Sequence, residues 1–73
     1  MNYLFKDCVD YILESAEEAR KYPKGDYKDG SMLAYAAVLR MIKHKIEILT
    51  EDDIADYGLD FDVDKRYIFD SDD

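Results

Sequence analysis

The sequence predicts an all-α single domain spanning residues 1–73, and three observations carry that prediction. Apolar residues recur at steps of three and four along most of residues 2–49, helix starters and breakers stand at the ends of those runs, and strand-like alternation is confined to the short stretch 60–64. The expected architecture is an antiparallel helical hairpin, a short third helix and an ordered aromatic C-terminal segment. A chain of this size buries only about 60% of the surface its unfolded form exposes, so one modest core is expected. Apolar residues make up 48% of the chain, with seven Tyr and three Phe, which is too much for a disordered acidic protein.

The first helix is read from Leu4, Phe5, Cys8, Val9, Ile12, Leu13, Ala16 and Ala19, which draw one stripe from Asn2 to about Lys21. Lys6, Asp7, Asp10, Glu14, Glu17, Glu18 and Lys21 take the opposite, solvated face, and the spacing of Glu17 and Lys21 suits a weak ion pair. Pro23 forbids continuation and biases Tyr22 toward extended geometry, so the helix is expected to stop near Tyr22.

The second helix begins at Asp26, Asp29 or Ser31, each of which is a suitable N-cap, and runs to about Leu49. Tyr35, Leu39, Ile42, Ile46 and Leu49 continue the stripe that faces helix one. Residues 32–39 are apolar on every side, so more than one neighbour is required there. Met32, Leu33, Ala36 and Ala37 are accordingly the expected face of a homodimer. A connection this short makes the two helices an antiparallel hairpin.

Thr50-Glu51-Asp52-Asp53 reads as the start of the third helix, with Thr50 as the cap and acids in the first turn where the helix dipole favours them. Ile54, Ala55 and Tyr57 form its apolar side, Gly58 suits the left-handed stop, and Leu59 can fold back over it. Beyond it, an extended stretch and a helical turn are expected to lay Phe61, Tyr67, Ile68 and Phe69 on the hairpin, with Asp70 to Asp73 frayed.

Charge is regional. The chain carries a net charge of -8, and residues 50–73 hold ten Asp/Glu against two Lys/Arg, while the remaining two thirds nearly balance. A carboxylate block on one end of a small domain attracts basic surfaces and repels nucleic acid and anionic lipid. Direct nucleic-acid binding by Arg40, Lys43 and Lys45 is disfavoured beside that excess, and those cations are expected to pair with the chain's own acids.

No residues assemble a catalytic constellation. Asp60, Asp62 and Asp64 open like a calcium loop, but Lys65 stands where Gly is required and Ser71 where a bidentate Glu is required. His44 lies among Arg40, Lys43 and Lys45, with no Ser or Cys at a helical spacing that would make a nucleophile-base pair with it, and it reads as a surface residue. Cys8, the single cysteine, excludes an intramolecular disulfide and a zinc cluster and is expected to be a buried, inert thiol. No metal and no cofactor are expected. No apolar run approaches the roughly 18 residues a membrane span needs, and the start of the chain lacks a basic segment leading into an apolar one, so a cytoplasmic location is expected.

Residues 27–43, with the later Gly58-Leu59-Asp60-Phe61-Asp62, resemble a pattern in small acidic helical proteins of Gram-positive phages and mobile elements. The resemblance covers about half the chain and carries no functional residues over. It implies a genomic context in which small acidic proteins inhibit host defence, anti-CRISPR proteins among them. Together these readings predict a non-enzymatic interaction protein whose carboxylates Glu51, Asp52, Asp53, Asp56, Asp60, Asp62 and Asp64 engage the basic surface of a nucleic-acid-binding protein as a DNA mimic. The alternative is a small structural or assembly subunit, a helical homodimer in which the acids only confer solubility.

Overall fold

The structure, a computed structural model, describes residues 2–69, so the expectation for Asp70 to Asp73 lies outside the described residues. Two long helices, α1 (Tyr3–Arg20) and α2 (Asp26–Leu49), pack as a hairpin, followed by a 3₁₀ turn (Ile54–Tyr57) and a short helix α3 (Val63–Tyr67). The all-α prediction holds, and its element order is the expected one.

Local chemistry explains each boundary. Asn2 caps α1, its side-chain oxygen accepting from the Phe5 backbone N–H at 3.1 Å. Past Arg20 the chain turns through residues 21–25, and Tyr22 and Tyr27 stack across that turn with ring centroids 5.3 Å apart. The start of α2 uses none of the three side-chain caps that the sequence offers. Gly25, at φ 152 and ψ -176, makes the turn in a backbone region essentially closed to other residues, and no side chain caps the helix. Asp26 and Asp29 lie inside the first turn, where their charge meets the positive end of the helix dipole.

The third element starts three residues later than predicted. Thr50 closes α2, its hydroxyl donating to the Ile46 carbonyl at 2.8 Å and accepting from the Asp52 N–H at 3.0 Å. Asp53 is the true cap: it accepts from the Ala55 N–H at 3.0 Å, and its own N–H donates to Asp56 at 3.4 Å, completing a capping box. Gly58, at φ 74, ends the turn as expected, and Leu59 folds back with its N–H on the Ile54 carbonyl and its side chain fully buried. Asp62 then caps α3 by accepting from the Lys65 N–H at 3.1 Å.

The core explains why the C-terminal segment is needed. Helix α1 contributes only Val9, Ala16 and Ala19 to the buried set, while α2 contributes Met32, Ala36, Leu39, Ile42 and Ile46. So much alanine leaves a groove along the hairpin, and Tyr57, Leu59, Val63 and Tyr67 fill it, each at most 3% exposed. Phe61 and Ile68 pack against that core as predicted, whereas Phe69 is 68% exposed.

Several predicted core positions stand in water instead. Leu4, Phe5, Cys8 and Leu49 are exposed, because α1 presents a narrower arc to its neighbours than its apolar stripe covers. The expected dimer face is divided by the fold. Met32 and Ala36 are interior residues of the single chain, covered by α1 and the C-terminal segment, whereas Leu33 and Ala37 are exposed on the outer side of α2.

Candidate interaction surface

The seven predicted carboxylates fall into two groups. Asp60, Asp62 and Asp64 form one wall of an open groove of about 730 Å³ whose other wall is Arg40, Lys43, His44 and Glu47 of α2. Arg40 forms an ion pair with Asp64, as the sequence suggested for its cations. Lys43 instead donates to the Phe61 carbonyl at 2.7 Å, fixing the extended stretch against α2. The groove is therefore acidic on one side and basic on the other, not a uniform negative edge. Among the described residues, no three of the His, Cys, Asp and Glu side chains are placed to hold a metal ion.

Glu51, Asp52, Asp53 and Asp56 cluster around the 3₁₀ turn. The Tyr57 phenol donates to Asp52 at 2.6 Å, and this hydrogen bond, with burial, raises the phenol above the usual tyrosine range. The ring of Tyr57 meets Phe5 edge to face at 5.4 Å, so the turn is fastened to the start of α1. Asp53, Asp56, Asp60 and Asp62 are all exposed. The capping hydrogen bonds of Asp53, Asp56 and Asp62 leave their charges facing solvent while holding each carboxylate in one direction. Glu51 and Asp60 make no side-chain hydrogen bond or ion pair among the described residues.

The most tightly built polar cluster was not anticipated. The sequence spacing suits Glu17 to a solvated pair with Lys21, but its carboxylate accepts from Arg66 Nε at 2.7 Å, from the Tyr67 phenol at 2.7 Å and from Arg20 at 2.9 Å. Partial burial alone would raise its pKa, yet the hydrogen bonds from Arg66, Tyr67 and Arg20 outweigh burial and hold it at about 2. Burial first, and the bond to Glu17 second, push the Tyr67 phenol up to about 12. The Arg66 guanidinium also lies 5.8 Å from the Phe61 ring centroid and 5.9 Å from that of Tyr67. No local signal marks Glu17, since its main partners lie about fifty residues away. The capping role of Asp53 has a local signal that the reading of Thr50 as the cap passes over: Asp53 and Asp56 stand at capping-box spacing.

Comparison with known protein families, with curated proteins and with solved structures finds no match for this chain.

Proposed function

We propose that this chain is a non-enzymatic interaction protein that engages a basic protein surface through its C-terminal carboxylates, occupying the place where that partner binds nucleic acid. The observation that supports this reading is the pre-set direction of Asp53, Asp56 and Asp62, which remain exposed while their capping bonds hold them. A carboxylate already fixed in place loses little side-chain freedom when a cation arrives, so it contributes more to binding than a mobile one. The surplus of acid in residues 50–73 adds long-range attraction that speeds encounter with a basic partner. Phage or mobile-element inhibitors of host nucleic-acid-binding complexes are the setting that this mode of action fits.

The test uses Glu51→Gln with Asp60→Asn, since neither side chain supports the fold. Tagged wild-type protein is used to capture partners from a host lysate, and captured nucleic-acid-binding proteins are then assayed for association with each form and for competition with DNA or RNA. The proposal expects slower association and weaker competition by the variant at low salt, with the gap closing as salt rises. Equal competition by both forms, or capture that is insensitive to salt, overturns it.

A further inference from the structure

Helix α2 has a second apolar face that the single chain leaves bare. Leu33 is 57% exposed, Met41 53% and Ile48 62%, and Ala37 is exposed between them. With about 100° of rotation per residue, Leu33, Ala37, Met41 and Ile48 project within about 80° of one another, on the side opposite the buried Leu39. Scattered exposed apolar residues need no explanation, but Leu33, Ala37 and Met41 follow one another along a single helix face, with His44 separating them from Ile48.

We propose that this face joins two copies of the chain, with the outer faces of their α2 helices packed antiparallel about a twofold axis near Ala37. Three features select a second copy. The Leu33–Ala37–Met41 part of this face is self-complementary, because Leu33 and Met41 are equally spaced on either side of Ala37, so an antiparallel twofold sets Leu33 of one copy beside Met41 of the other, while Ile48 lies beyond it, toward the partner's Asp26. The residue on the axis is small, which permits the helix axes to approach to about 8 Å. Charge along α2 is also polarised: its start carries Asp26 and Asp29 against Lys28, and its second half carries Arg40, Lys43 and Lys45 against Glu47. Antiparallel packing brings the acidic end of one helix to the basic half of the other and opposes the two helix dipoles, whereas parallel packing sets like against like. This association uses none of the C-terminal carboxylates, so it holds or fails independently of their role.

The experiment measures the mass of the full chain by light scattering from low to high micromolar concentration. Wild-type protein should approach twice the single-chain mass of 8.6 kDa. Ala37→Glu and, separately, Leu33→Lys should stay at the single-chain mass with unchanged helical circular dichroism, because both residues face away from the core. In a Cys8→Ser background, Ala37→Cys should form a disulfide-linked dimer under mild oxidation, since a residue on the axis meets its own copy, while Lys28→Cys should not. Wild-type protein that stays monomeric at high concentration overturns the proposal. So does a dimer that survives both charge variants, or cross-linking that is no faster at position 37 than at position 28.

Discussion

Glu17 on α1 and Tyr67 on α3 stand 50 positions apart in the chain and share a 2.7 Å hydrogen bond, the phenol donating to the carboxylate. Arg66 reaches the same oxygen from the neighbouring position, so one acidic side chain ties the first helix to the last. Ala16 and Ala19 of α1 and the Tyr67 ring all belong to the same buried core.

Acid should weaken this tie in a defined window. The Glu17 carboxyl is held at about 2 against an ordinary 4.5, so its contribution is complete above pH 4.5 and is lost as the pH falls toward 2. With the side chain 36% exposed, solvent screening reduces that contribution to about 1 to 2 kcal/mol. Glu17→Gln should be less stable than wild type by this amount at neutral pH, and denaturation curves taken at decreasing pH should show the two converging near the acid end. A constant gap across the whole range would assign the loss to packing.

The two leucines of the α2 stripe should behave differently. Leu39 is fully buried and Leu49 is 70% exposed. Leu39→Ala should cost about 2 to 5 kcal/mol in urea denaturation, a large part of the stability of so small a domain. Leu49→Ala should stay within about 0.5 kcal/mol of wild type.

Removing the cap at Asp53 should unfasten the 3₁₀ turn. Asp53→Ala deletes both the acceptor for the Ala55 N–H and one side of the capping box, a loss of about 0.5 to 2 kcal/mol. Glu51→Ala, two residues earlier and without a side-chain partner, serves as the comparison and should be near neutral. Thermal melts that rank the two in reverse would return the cap to the preceding residues.

Gly58 isolates a backbone effect. A Cβ built there would sit 3.8 Å from Leu13, an ordinary contact, so no clash adds to the cost of its left-handed φ of 74. Gly58→Ala should therefore cost about 1 to 2 kcal/mol, and Gly58→Asn less, because asparagine tolerates that region. Equal losses in the two variants would point to packing against Leu13 instead of backbone strain.

Helical periodicity made the hairpin legible, and the sequence also marked Pro23, Gly58 and the fold-back of Leu59. Periodicity gives the direction of an apolar face but not how much of its width a neighbour covers, which is why Cys8 and Leu49 were expected inside and Met32 and Ala36 outside. Thr50-x-x-Asp53 and Asp53-x-x-Asp56 offer the same capping pattern three residues apart, and only the extent of α2, which claims Thr50 for its own end, decides between them. Glu17 was invisible as an anchor because its partners are set by tertiary contact. The carboxylate block was plain from composition alone, but that several of its members cap backbone turns, and that Asp64 is matched by Arg40, depended on the path of residues 59–64 across α2.

The small, alanine-rich volume that α1 gives to the core also bears on the order of folding. The hairpin closes over a short turn and should form early, yet by itself it buries little on the α1 side, so it persists only once Tyr57, Leu59 and Tyr67 arrive. Those contacts span up to 50 positions and form late, which places the Glu17 tether on the native side of the barrier. Loosening it should leave the refolding rate nearly unchanged and accelerate unfolding, so the lifetime of the folded chain is governed by its shortest helix.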